Sequence, residues 1–256
     1  MKKILVPILA ALVLATACSS HFLGAGKRAD MRCYEMRVYY APPGKLDDLN
    51  ARFRNHTLKI FEKHGMSNIG YWIPVENPDN KLIYILAHPS REAATRAWKD
   101  FFADPEWKTV VQKTEANGKL VAKVESTFMT ATDYSPAIQP KAASEPRLFE
   151  LRIYKAAPGK LGDLNARFRN HTKALFAKHR IFQFGYWTPM DQDKGADDTL
   201  IYIVAHKNRE AADAAWKAFR ADPAWVAAKK ASEVNGPLTT NVASMFMTPT
   251  DYSPTK

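Results

Sequence analysis

Asp48-Leu-Asn-Ala-Arg-Phe-Arg-Asn-His-Thr57 recurs letter for letter at Asp163–Thr172, an offset of 115 residues. An identical decamer at one fixed offset in a chain of 256 residues marks an internal duplication. After Pro74 and Pro189 the second copy carries three more residues and the offset becomes 118. Ile83-Tyr-Ile85 then answers Ile201-Tyr-Ile203, Asp104-Pro-Glu-Trp107 answers Asp222-Pro-Ala-Trp225, and Thr132–Pro136 answers Thr250–Pro254. Two copies are too few for a solenoid. The chain reads as tandem domains, 31–136 and 147–254, joined by a Pro/Ala-rich linker at 137–146.

Within each copy the hydrophobic period changes in step with the turn signals. Cys33–Tyr40 alternates, with Tyr34, Met36 and Val38 on one face and Glu35, Arg37 and Tyr39 on the other, as a strand does. Pro42-Pro-Gly44 ends it, and Lys45–His64 carries a helical stripe through Leu46, Leu49, Phe53 and Ile60. Strands are expected at 68–73, 82–88 and 120–130. Ser90 is placed to cap a helix running through Phe102, and Asp104-Pro105 to start another.

The order β-α-β-β-α-β, with the second helix broken, is the ferredoxin-like α+β arrangement. Such a sheet has helices on one face only. The bare face, expected to carry Trp72 and Phe128, would be an exposed apolar patch in a single copy. Two copies on one chain can close sheet against sheet, giving an intramolecular pseudo-dimer: a dimeric α/β barrel within one polypeptide. The alternative is two separate domains that each pair with another chain.

The composition, 46% hydrophobic and 25% charged, is that of a globular protein. The net charge of +11 is spread along the chain. Residues 31–136 hold 15 Lys/Arg against 13 Asp/Glu, with no dense basic stripe, which argues against nucleic-acid binding. At the start, Lys2 and Lys3 precede an apolar run from Ile4 to Leu14 and then Ala15-Thr16-Ala17-Cys18. This is the pattern of a signal peptide over 1–17, cut before Cys18. The cysteine either becomes an acylated amino terminus or stays a free thiol. The lipoprotein reading implies export to the periplasm, a membrane anchor and, with Ser19 following, the outer membrane. Residues 18–30 would then be a tether. Cys33, opposite Leu148 in the other copy, reads as core.

Six histidines pair across the copies: His56 with His171, His64 with His179, and His88 with His206. His56 and His64 are expected to face the sheet, as core residues or as a general base. They stand two helical turns apart, too far to share a metal ion, and no zinc-type spacing occurs. Neither a metal nor a cofactor is implied. Glu35-x-Arg37-x-Tyr39 and Glu150-x-Arg152-x-Tyr154 are expected on the face away from the helices, lining the barrel interior. There they would form either closed ion pairs or an anion-binding cleft. Tyr71-Trp72 and Tyr186-Trp187 would add an aromatic wall.

Taken together, Tyr34–Tyr39, Pro43-Gly-Lys-Leu46, His64-Gly65, Gly70-Tyr-Trp72, Ala103–Trp107 and their second-copy counterparts resemble the NIPSNAP domain. The resemblance covers nearly all of both copies and implies the dimeric α/β-barrel superfamily. It supplies no agreed catalytic motif. Three functions follow as alternatives: a barrel binding a small ligand or protein partner, a cofactor-independent enzyme of the monooxygenase or isomerase kind, and a structural protein with a filled barrel. In the enzyme, a histidine would act as base and Arg37 or Arg152 would steady an oxyanion.

Overall fold

The computed structural model describes residues 30–143 and 145–256. The expected signal peptide, Cys18 and all of the expected tether but Asp30 lie outside the described residues. The first copy runs β1 (Cys33–Tyr40), α1 (Leu46–Arg52), a π-helical turn (Phe53–Thr57), α2 (Leu58–Lys63), β2 (Ser67–Pro74), β3 (Lys81–His88), α3 (Arg91–Ala103), α4 (Pro105–Thr114) and β4 (Lys123–Ala131). The second repeats it as β5 (Leu148–Ala156), α5 (Leu161–Arg167), a π-turn (Phe168–Thr172), α6 (Lys173–Lys178), β6 (Phe182–Pro189), β7 (Thr199–His206), α7 (Arg209–Ala221), α8 (Pro223–Ser232) and β8 (Thr239–Pro249). The second repeat's extra residues fall in its β6–β7 loop, which contains a short 3₁₀ turn at Gln192–Lys194.

The strands close into one barrel, in the order β1-β3-β2-β8-β5-β7-β6-β4. The copies join at two seams, β2 with β8 and β4 with β6, where Trp72 stands opposite Pro249 and Ala131 opposite Trp187. All neighbours are antiparallel, so equivalent strands of the two repeats run the same way. The pseudo-twofold axis therefore lies along the barrel, and each end is built by both repeats.

The expected caps form: Ser90 Oγ accepts from the Ala93 amide, and Asp104 Oδ1 from that of Glu106. The single helix expected over 45–64 contains one wider turn. There the Leu58 amide reaches the Phe53 carbonyl, and the Thr57 hydroxyl donates to the Arg52 carbonyl at 3.2 Å.

The segments after β4 and β8 cross over and clasp the opposite repeat. Arg54 grips Asp251 with two bonds of 2.6 and 2.7 Å, Tyr252 donates to Asn50 Oδ1, and the Tyr71 amide donates to Ser253 Oγ. Arg169, Asn165 and Tyr186 hold Asp133, Tyr134 and Ser135 in the same way. The identity of the decamer thus has a partly structural cause. Its first asparagine and second arginine hold the other repeat's Tyr and Asp, while its leucine and phenylalanine fill the core under the helices.

Candidate functional site

Alternation along β1 separates two faces, and the structure reverses their expected roles. Tyr34 and Met36 point into the barrel with Val38, whereas Glu35, Arg37 and Tyr39 lie under the helices. Glu150, Arg152 and Tyr154 do the same in the second repeat. The barrel interior is apolar, and it takes the apolar face of each strand. The helical layer can accept the charged face because it supplies donors. Phe128 likewise sits outside the barrel, beneath the Arg91 guanidinium, and Tyr71 and Tyr186 pack under the helices. Trp72 and Trp187 are inside, as expected.

Each buried glutamate collects four partners. Glu35 accepts from Trp98 Nε1, Ser126 Oγ and Arg37, each at 2.7 Å, and His88 Nε2 lies 3.4 Å away. Glu150 accepts from Trp216 at 2.7 Å, Ser244 and Arg152 at 2.5 Å, and His206 at 3.2 Å. The arginines lie over the same tryptophans, 4.1 and 4.5 Å from the ring centroids. Burial works to raise the Glu150 carboxyl, but His206, Arg152, Ser244 and Trp216 outweigh it and hold the group down at about 2. Glu35 is lowered by its equivalent partners against the same cost. Each cluster is a closed ion pair that ties strand to helix, with both carboxylate oxygens engaged.

Among the described residues, the other four histidines do not converge on these arginines. His64 and His179, at the ends of α2 and α6, bond Asp104 and Asp222 at 2.7 Å, tying α2 to the cap of α4 and α6 to the cap of α8. His56 and His171, expected to face the sheet, are exposed on the π-turns, because the wider turn rotates them away from the helical stripe. Cys33 is buried beside the Met190 sulfur, and burial pushes its thiol up to about 11. Among the described residues no three His, Cys, Asp or Glu side chains are grouped to hold a metal ion.

A ligand-sized opening lies instead at one end of the barrel. Successive inward positions on β1 run Tyr34, Met36, Val38, Tyr40, and on β5 they run Phe149, Leu151, Ile153, Lys155. At the Tyr34 end the interior is packed solid: Trp72, Trp187, Phe149 and Phe184 touch one another, and Ile138 of the inter-repeat segment is fully buried among them. Gly70 and Gly185 make room for the tryptophans, since a Cβ there would lie 2.3 and 2.5 Å from the indole rings. Toward the other end the side chains shorten and leave a cavity of about 350 Å³. Met36, Val38, Ile83, Leu151, Ile153, Ile201 and Met245 form its wall, with Tyr40, Lys81, Glu125, Lys155 and Lys194 at the rim. No single sequence motif marks this site; its signal in the sequence is the gradient along β1 and β5, from aromatic through aliphatic to polar.

The NIPSNAP family pattern matches residues 34–136 and 149–254, most of both repeats. The chain belongs to the NIPSNAP family. A NipSnap homolog from Dictyostelium discoideum is 29% identical over 103 residues, which is 40% of this chain and 42% of that protein, so the match spans less than half of the relative. Among solved structures, a candidate monooxygenase from Lactobacillus acidophilus superposes with a TM-score of 0.54 at 9% identity, covering 86% of this chain and 94% of its own. An anthrone oxidase-like protein does so with a TM-score of 0.52 at 13% identity, covering 86% and 92%. At these identities what this NIPSNAP chain shares with them is the fold of the closed barrel.

Proposed function

We propose that this protein binds a small, largely apolar molecule in the open mouth of the barrel. The cavity carries the reading. It has the size of a small-ligand pocket, seven apolar side chains from both repeats line it, and the opposite end is sealed. A structural protein would gain stability by filling this end as well, because apolar volume left unfilled forfeits packing. The histidine-and-arginine chemistry considered for an enzyme finds no support at the mouth, since no histidine among the described residues lines it. The test is a titration with N-phenyl-1-naphthylamine, an uncharged fluorescent probe of apolar sites. Saturable binding to the wild type, lost in Ile153→Trp with an unchanged far-UV spectrum, supports the reading. Equal binding to both proteins contradicts it.

We also propose that the chain is exported and acylated at Cys18, on the strength of the Lys2–Lys3 start, the apolar run to Leu14 and Ala15-Thr16-Ala17-Cys18. Among the described residues no helix is long and apolar enough to cross a membrane. Cys18→Ser should release the protein from the membrane fraction; continued sedimentation with membranes would refute the anchor.

A further inference from the structure

Three of the four wall positions match across the repeats, the fourth pairs Met245 with Thr127, and the rim does not match at all. Met36 faces Leu151, Val38 faces Ile153 and Ile83 faces Ile201 as equivalent pairs, all apolar. At the rim, Tyr40 corresponds to Lys155, Lys81 to Thr199, and Glu125 to Ala243. Lys194 comes from the β6–β7 loop, where the second repeat has its extra residues, and has no counterpart. Two identical half-barrels would present the same group twice to a ligand on the axis. This chain presents a largely apolar well, in which Thr127 is the counterpart of Met245, under an asymmetric, mainly cationic rim.

The balance of charge at that rim is three ammonium groups to one carboxylate. The lysines have acidic partners: Lys81 with Asp79 at 2.8 Å, Lys155 with Asp198 at 2.6 Å, and Lys194 with Asp193 at 3.6 Å. Those aspartates do not line the cavity, and their side chains are 42 to 75% exposed. Exposed pairs of this kind hold their partners weakly. An ammonium group also has three donors; Lys155 directs one to Asp198 and one to Thr199 Oγ1 at 3.2 Å. A ligand anion at the rim would meet donors that are already poised and would displace little.

We propose that the molecule held in the mouth is a small anionic amphiphile, with its apolar body in the well and a carboxylate-like head among Lys81, Lys155 and Lys194. This rests on the mouth being the binding site. It assigns the polar end of the ligand, which the apolar wall alone leaves open.

Three compounds with the same ten-carbon chain separate the two ideas: decanoate, decanol and decyltrimethylammonium, each displacing N-phenyl-1-naphthylamine from the full chain at pH 8 and low salt. The expected order is decanoate about tenfold better than decanol, with the ammonium compound weakest. In Lys81→Gln/Lys155→Gln/Lys194→Gln the ratio of decanoate to decanol affinity should fall to about one. Decanol equal to decanoate in the wild type, a preference for the cation, or an unchanged ratio in the triple variant would each overturn the anionic head while leaving the mouth as a binding site. Displacement by none of the three would overturn both.

Discussion

The two ends of the barrel are made from the same strands, yet one is solid and the other open. At the closed end each repeat contributes a tryptophan whose ring occupies the space a glycine leaves open, with Phe149, Phe184 and Ile138 filling what remains. At the open end equivalent positions carry Val38 and Ile153, too small to meet across the axis. The pseudo-twofold axis runs along the barrel, so symmetry does not relate the two ends. A duplicated chain can therefore devote one end to stability and leave the other for a ligand. The inter-repeat segment strengthens the contrast. It supplies Ile138 to the closed end alone, and Arg32 donates to the Ile138 carbonyl at 2.6 Å.

If that division of labour is right, truncation should hurt far more at one end than at the other. Trp187→Ala is expected to cost about 3–5 kcal/mol in urea unfolding. Val38→Ala, half-buried at the mouth, should cost about 1 kcal/mol or less; similar costs at both ends would break the comparison. Ile138→Ala should destabilise by about 2–4 kcal/mol, which would show that the segment joining the repeats is part of the core. Gly185→Ala is expected to cost about 1–3 kcal/mol by forcing the Trp187 ring off its seat, with a matching change in tryptophan fluorescence.

Acid should act chiefly on the layer under the helices. Glu35 and Glu150 lie outside the barrel with carboxyls held below their usual range, so their contribution is present at neutral pH. It should fade as pH falls from the ordinary carboxylate value of 4.5 toward about 2, where Glu150 itself takes up a proton. Urea midpoints measured across that range should decline, and Glu150→Gln should flatten the decline. The smallest effect belongs to the clasp. Arg54→Ala removes an exposed pair with Asp251 and should cost about 1 kcal/mol or less.

Much of this architecture is legible in the sequence because repetition and period carry it. The decamer and its offset give the duplication, and the alternation of β1 gives two faces. Which face meets the helices is not legible from alternation alone. In a closed barrel both faces are covered, and the polar face of Glu35 and Arg37 becomes tolerable only because Trp98 and Ser126, distant in sequence, bring donors to it. The outward turn of His56 was hidden for a different reason. A single π-turn shifts the helical phase by about 100°, and no residue in the stretch announces it. The mouth was hidden because a cavity is defined by what neighbouring strands fail to fill, which needs the register of β1, β3, β5 and β7 together.

Four methionines offer the most direct test of the central claim, because two line the mouth and two the closed end. Met36 and Met245 border the cavity, whereas Met129 and Met247 are fully buried at the level of Tyr34 and Phe149. With methyl-labelled methionine, addition of N-phenyl-1-naphthylamine should shift the Met36 and Met245 resonances and leave those of Met129 and Met247 in place. Shifts confined to Met129 and Met247, or none at any of the four on saturation, would contradict the account.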